Sequence, residues 1–123
     1  MSFAAAQYRA ATVGTASPVQ IVVRLYDAAL RFLAQARVAE EQGKRAERSA
    51  KLQRCHAIVS ELQVSLVHSH APELCADLER LYEFVLHTLT QASVTGESDG
   101  LESAEKVLRE LREAWSELAR RNG

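Results

Sequence analysis

Several kinds of residue are scarce in this chain of 123 amino acids, and each shortage excludes a class of protein. Only 5 glycines and 2 prolines interrupt the chain, which favours a few long elements over many short strands. The 2 cysteines are too few for the disulfide framework of a small secreted protein. No apolar run approaches the roughly 20 residues of a membrane span, and Arg9 interrupts the apolar start where a secretory signal would lie. The expected location is therefore the reducing cytoplasm.

An excess of basic residues is also lacking, because 15 Lys and Arg stand against 16 Asp and Glu. Nucleic-acid binders usually carry a clear basic excess, and anionic membrane surfaces attract polybasic segments. We therefore expect neither nucleic acid nor a membrane as a partner. Hydrophobic residues make up 47% of the chain, which is enough for a packed core in a chain whose length suits one domain.

Four long amphipathic stretches make up most of the chain. Ser17-Pro18-Val19-Gln20 has the pattern of a capping box, in which the serine accepts from a helical N–H and the glutamine reaches back. Gly43 predicts the end of this first helix, and Pro72 predicts the start of the third. Before the fourth helix, the segment Asp99-Gly100-Leu101-Glu102 has the pattern of a second capping box. The predicted helices cover residues 17–42, 46–69, 72–94 and 99–120.

The short connections between these helices predict an all-α, antiparallel, up-down four-helix bundle. Residues 17–120 form this bundle domain, and residues 1–16 are predicted to be an extended N-terminal segment that packs on it and covers part of its surface. The apolar stripe of the third helix is predicted to contain Leu74, Leu78, Leu81, Val85 and Leu89.

The first helix carries more apolar surface than one core needs, because its apolar arc spans about 200°. It directly follows a nearly uncharged segment that contains Tyr8. Phe84 lies apart, among charged residues on the polar side of the third helix. The predicted partner-binding residues are Tyr8, Ile21, Val22, Leu25 and Phe84.

The alternative is that the aromatic residues simply fill the core. For Tyr26 and Trp115 the core is the favoured interpretation, and for Tyr8 and Phe84 a contact surface is favoured. Tyr82 is left open between the two. Cys55 and Cys75 fall on or beside apolar stripes, where cysteine usually behaves as a small hydrophobic residue.

No residue pattern predicts catalysis. A di-iron site in a bundle needs Glu-x-x-His on two helices, and none of the 4 histidines has a glutamate three residues before it. His68, His70 and Cys75 lack the fixed spacing of zinc ligands, so a polar turn between helices is the better interpretation. Neither a glycine-rich phosphate loop nor a nucleophile elbow is present. We therefore expect no enzyme activity, no metal and no cofactor.

Histidine phosphotransfer is the alternative function that suits a helical bundle, with His56 and His87 as the candidate residues. Phosphorylatable histidines of that class resemble a pattern with Lys and Gly shortly after the histidine. Here His56 is followed by Ala57-Ile58-Val59-Ser60, and His87 by Thr88-Leu89-Thr90-Gln91. Neither segment fits, which makes solvated histidines of the bundle the better interpretation.

Several segments in order resemble the flagellar secretion chaperones of the FliS family. Residues 8–18 carry a tyrosine, a valine five residues later and a Thr-Ala-Ser-Pro cap at the family's spacing. The other matching segments are Leu25-Tyr26-Asp27-Ala28-Ala29, Ile58-Val59-Ser60-Glu61-Leu62, Leu81-Tyr82-Glu83-Phe84 and Leu111-Arg112-Glu113-Ala114-Trp115. The departures are Ala28 in place of a frequent Gly, Ala71-Pro72 in place of a Gly-rich turn, and Ser93 in place of a frequent Asn.

This resemblance implies a cytoplasmic export chaperone that binds the C-terminal segment of flagellin. Binding would prevent premature polymerisation and help to deliver the subunit to the flagellar type III export apparatus. The resemblance implies no cofactor. It also implies that the N-terminal segment lies on the bundle, where the client competes with this segment or rearranges it. Export-gate components or an anti-sigma factor are further candidate partners. Without its client the protein is expected to be a monomer or a weak dimer, because an uncovered apolar groove favours association.

Overall fold

The computed structural model of the chain describes residues 18–69 and 71–121. These residues form four helices, which are α1 (Pro18–Glu41), α2 (Arg45–Val64), α3 (Pro72–Thr95) and α4 (Leu101–Arg121). No strand occurs among them, and none of their helices is long and apolar enough to cross a membrane. The prediction of an all-α four-helix fold is confirmed. The segment 1–16, the Ser17 cap and His70 lie outside the described residues.

The four helices form a ring in which each packs against two neighbours, in the order α1, α2, α3, α4 and back to α1. Two ion pairs show that α1 and α4 run antiparallel. Asp27 in the first half of α1 binds Arg112 late in α4 at 2.8 Å, and Arg37 later in α1 binds Glu105 early in α4 at 2.6 Å. In such a ring the side formed by α1 and α2 lies opposite the side formed by α3 and α4.

The core lies between all four helices and is built mostly from leucine, valine, alanine and tyrosine. At its centre the hydroxyl groups of Tyr26 on α1 and Tyr82 on α3 lie 2.5 Å apart. Both rings are almost completely buried, so the interpretation of Tyr26 as a core residue is confirmed. Trp115 is partly buried and packs against this core.

The register of α3 differs from the predicted apolar stripe. Leu78, Val85 and Leu89 are buried as predicted, whereas Leu74 and Leu81 are 59% and 37% exposed. The inclusion of those two leucines in the core was therefore wrong. Cys75 and Tyr82 take their places in the buried stripe, which brings the Tyr82 hydroxyl to its partner on α1.

Two predicted helix boundaries also need correction. α2 ends at Val64 and not at residue 69. The Ser65 hydroxyl donates to the Leu62 carbonyl at 2.9 Å, and the Leu66 N–H donates to the Gln63 carbonyl three residues earlier, so the α-helical pattern stops there. α4 begins at Leu101, since Gly100 has a φ of 88° and cannot belong to a right-handed helix. The prediction of a capping box that starts helical geometry directly after Asp99 was therefore wrong.

A buried arginine connects the end of α1, the start of α2 and the end of α3, which lie at the same end of the bundle. Arg48, near the start of α2, donates to the backbone carbonyl oxygens of Ala92 at 3.0 Å and Glu97 at 2.8 Å. It also donates to the Ser98 hydroxyl at 3.2 Å and to the Glu40 carboxylate at 3.1 Å. Arg48 therefore ties the end of α1 and the loop between α3 and α4 to the start of α2.

Candidate functional site

Four large apolar side chains of α3 are exposed to solvent, three of them on one side of the helix and the fourth, Val94, near its end. Leu74, Leu81 and Phe84 are 59%, 37% and 43% exposed. Their spacing of seven and three residues places them along one side of the helix. Thr88 continues that side four residues after Phe84, and its methyl group lies 3.1 Å from where a Cβ on Gly100 would be, directly before α4. This apolar side of α3 is therefore the one that faces α4.

The second half of α4 also has apolar side chains that the core does not fully cover. Its buried residues end at Leu108. Beyond that point Leu111 and Trp115 are only partly buried, and Leu118 is 39% exposed. A helix that is apolar along one side normally buries that side against another element. Here the bundle covers only part of it.

The polar contacts of α4 show which neighbour its apolar side faces. Glu105 and Arg112 bind Arg37 and Asp27 of α1, so their side of α4 lies against α1. At 100° per residue, Leu111, Trp115 and Leu118 lie on average roughly 90° around the helix from Arg112. Because α1 and α3 are the neighbours of α4 among the described helices, this apolar side faces α3.

The two apolar sides therefore border one shared surface. We call it the α3–α4 face, defined by the exposed or partly buried residues Leu74, Leu81, Phe84, Leu111, Trp115 and Leu118. It combines the first half of α3 with the second half of α4, which meet at the same end of the bundle because consecutive helices run antiparallel. The charges close to it are balanced locally, since Asp77 and Arg80 of α3 form an ion pair with each other.

The predicted partner-binding residues lie on two sides of the bundle. The predicted exposure of Phe84 is confirmed, and it lies on the α3–α4 face. On α1, Val22 is buried in the core, whereas Ile21 and Leu25 are half-buried. Ile21 and Leu25 share the side of α1 that carries Phe32, which faces α2 and not the α3–α4 face. The structure does not bring them together with Phe84, and Tyr8 lies outside the described residues.

The exposure of Leu74, Leu81 and Leu118 was not predicted from the sequence. The first two belong to the apolar stripe that the spacing of leucines and valine predicted for the third helix. One signal could have corrected this, because α3 carries two overlapping stripes, one through Leu74 and Leu81 and the other through Cys75 and Tyr82. Only the second stripe offers a hydroxyl that a core tyrosine on another helix could bind.

The polar and nucleophilic residues show no arrangement for catalysis in the described part of the chain. No group of three His, Cys, Asp or Glu residues there is placed to hold a metal ion. Both cysteines are buried free thiols, and burial raises the pKa of Cys55 from 9.0 to about 12, so this thiol is a poor nucleophile. His56 is half-buried, and His87 is exposed.

Comparison with known proteins connects this architecture to one family. The chain matches the family described as flagellar protein FliS over residues 1–122. It is 29% identical to the flagellar secretion chaperone FliS of Salmonella typhimurium, across 87% of this chain and 80% of that protein. It is 30% identical to the protein of the same name from Campylobacter jejuni, across 85% of this chain and 82% of the relative. The corresponding protein of Vibrio cholerae is 26% identical across 86% of this chain and 78% of its own length.

Proposed function

Since the chain belongs to the flagellar protein FliS family, we propose that it is a cytoplasmic export chaperone that binds the C-terminal helical segment of flagellin. Binding keeps the flagellin segment from polymerising early and aids delivery of the subunit to the flagellar type III export apparatus. The proposal rests on similarity to relatives that are flagellar secretion chaperones. The same similarity gives no support to the phosphotransfer alternative at His56 and His87.

The α3–α4 face is the observation that carries this proposal in the described residues. An amphipathic helix binds another protein by placing its apolar side chains into a hydrophobic groove. The exposed apolar side chains of α3 and α4 offer an apolar surface for such contacts, and large apolar patches on soluble proteins commonly mark binding sites. A flagellin helix would cover the side chains of Leu81, Phe84 and Leu118, which the bundle leaves exposed.

Apolar burial, more than charge, is expected to supply the affinity at this face. Asp77 and Arg80 neutralise each other beside it, and the chain as a whole carries a net charge of −1. Ion pairs on an exposed surface contribute little and are screened by salt. Binding of the flagellin segment should therefore change little between low and moderate ionic strength.

The predicted residues on α1 define a second contact region in this proposal. Ile21 and Leu25 are half-buried near the start of α1, and Val22 supports them from the core. A client segment that continues around the bundle from the α3–α4 face would reach them, together with Tyr8. Export-gate components or an anti-sigma factor remain candidate second partners, and the free protein is expected to be a monomer or weak dimer.

Calorimetric titration with a synthetic flagellin C-terminal peptide tests the proposal. The double variant Leu81→Asp/Phe84→Asp places two charges on the α3–α4 face and should weaken binding by at least about 2 kcal/mol, the scale of a binding hot spot. Val94→Asp is the matched control, because Val94 is also on α3 and is 78% exposed, but it points away from α4. Wild-type affinity in the double variant, or equal losses in both, would show that the client binds elsewhere.

A further inference from the structure

A cluster of positive charge surrounds one aromatic ring on the side of the bundle formed by α1 and α2. The Phe32 ring lies 5.6 Å from the Arg31 guanidinium carbon, 5.7 Å from Lys51 Nζ and 5.8 Å from the Arg54 guanidinium carbon, measured to the ring centroid. Each distance is within the range of a cation–π interaction. We call these four residues the basic α1–α2 patch.

The three cations of this patch have no carboxylate partner among the residues that the structure describes. Three other arginines of the bundle do, since Arg37, Arg48 and Arg112 each form an ion pair with an acidic residue of another helix. Cations that gather around one ring repel one another, and the negative face of the ring offsets this only in part. A carboxylate supplied from outside would complete the charge balance of the patch.

A shallow groove of about 420 Å³ runs beside the patch between α1 and α2. Arg31 and Lys51 line it, together with Val38, which is half-exposed, and Glu47. The groove therefore offers an apolar contact within the same lining as two of the unpaired cations. This combination suits a segment that presents carboxylates and an apolar side chain on the same side.

We propose that the basic α1–α2 patch and its groove bind an acidic amphipathic helix of a partner protein. Glutamate or aspartate side chains of that helix pair with Arg31, Lys51 and Arg54, while an apolar side chain packs against Val38. Arginine favours such contacts because its planar guanidinium holds a carboxylate with two parallel hydrogen bonds.

A nucleic acid fits this surface less well than a short acidic segment does. The positive charge is confined to three side chains, and Glu47 lines the same groove. Binders of long polyanions instead present an extended basic stripe that tracks the phosphates. A polyanion that ran along the groove would meet the Glu47 carboxylate, whereas a short helix can place its carboxylates only where the cations are.

The position of the patch allows two proteins to be bound at once. The side formed by α1 and α2 lies opposite the α3–α4 face, because the helices follow one another around the ring. An acidic partner at the patch and an apolar client at the α3–α4 face would therefore not compete for the same side chains. This inference rests on the charges of α1 and α2 and does not depend on the identity of the client.

Fluorescence anisotropy with a labelled peptide tests the proposal on the full chain. The probe is an amphipathic helix of about 18 residues that carries glutamate and leucine along one side. A second peptide has glutamine at every glutamate, and an oligonucleotide of the same net charge is the third probe. The test variant is Arg31→Glu/Lys51→Glu/Arg54→Glu. The control Arg24→Glu/Lys44→Glu/Lys106→Glu changes the net charge equally at exposed residues outside the patch.

The glutamate peptide should bind wild type and the control with affinities within about twofold, and the test variant about tenfold or more weakly. The glutamine peptide and the oligonucleotide should bind wild type more weakly than the glutamate peptide. Circular dichroism melts verify that both triple variants fold. Four results would overturn the proposal: no binding by wild type, equal weakening in both variants, tighter binding of the oligonucleotide, or equal binding of the glutamine peptide.

Discussion

Replacing Arg48 by alanine removes the side chain that holds three helix ends together. Its guanidinium donates to two backbone carbonyls, a serine hydroxyl and the Glu40 carboxylate. The Ala92 carbonyl keeps a hydrogen bond from the Gly96 N–H after the change, but the Glu97 carbonyl loses the donor on the arginine. The loop between α3 and α4 would then be connected to α2 less firmly.

The expected cost in the free energy of unfolding follows from these contacts. A hydrogen bond that involves a charged group contributes about 1.5–3 kcal/mol, and a substitution that leaves its partners partly accessible to water loses only some of each. Because Glu40 is partly exposed and Ala92 retains a partner, we expect a total loss of about 3 kcal/mol. For a domain of this size that corresponds to a melting temperature lower by roughly 10–15 °C.

Urea unfolding followed by circular dichroism measures this loss directly. Arg45→Ala is the matched control, because Arg45 lies at the start of the same helix and lines a surface cavity together with Arg48. Unlike Arg48, it is exposed and makes no ion pair with a described residue. Arg48→Met retains much of the aliphatic packing and separates it from the hydrogen bonds. A loss below about 1 kcal/mol in Arg48→Ala, or an equal loss in Arg45→Ala, would refute the role assigned to the guanidinium.

Three further predictions concern a thiol, a turn and the N-terminal segment. Burial raises the pKa of Cys55 from 9.0 to about 12. The stability that the neutral buried thiol contributes is therefore complete below pH 9 and is lost as the pH rises from 9 to 12. Between pH 9 and 12 the free energy of unfolding should fall more steeply in wild type than in Cys55→Ala. Gly100→Ala should destabilise the protein more than Gly43→Ala, since both glycines have positive φ but only at Gly100 would the new Cβ lie 3.1 Å from Thr88. Tyr8→Ala should change the affinity for the flagellin peptide by about 1–2 kcal/mol and leave the melting temperature almost unchanged.

Each of these predictions has a result that contradicts it. Parallel pH profiles for wild type and Cys55→Ala would show that the thiol does not titrate abnormally. Equal losses at the two glycines would mean that the contact with Thr88 relaxes without cost. A Tyr8→Ala variant that binds normally but melts many degrees lower would make the tyrosine structural.

Local signals in the sequence were enough to predict the helices and most of their ends. Pro72 begins α3, and Gly43 lies in the turn directly after α1 with a φ of 71°, as their fixed or permissive backbone angles require. The end of α2 was missed because a serine can either continue a helix or bond back to its own helix, as Ser65 does. Only the tertiary environment decides between those two behaviours.

The register of α3 could not be deduced from hydrophobicity, and the candidate site depends on it. Leu81 and Tyr82 are adjacent, and either could enter the core of an isolated amphipathic helix. The choice is made by Tyr26, a residue 56 positions earlier in the chain, whose hydroxyl meets that of Tyr82. Once Tyr82 is inside, Leu81 lies at the surface, and the α3–α4 face follows. The exposure of Phe84 was predictable because charged residues lie on the same side of the helix.

The paired hydroxyls of Tyr26 and Tyr82 also fix how far one helix can slide past another. Leucines and valines would repack with little loss if α3 moved along its axis by one turn, because one apolar contact can replace another. The same shift would displace the Tyr82 oxygen by about 5.4 Å and break the hydrogen bond inside an apolar interior. This polar contact between two helices that are not neighbours in the ring therefore fixes the axial position of α3 relative to α1. It thereby also fixes the height at which the apolar residues of α3 lie beside those of α4.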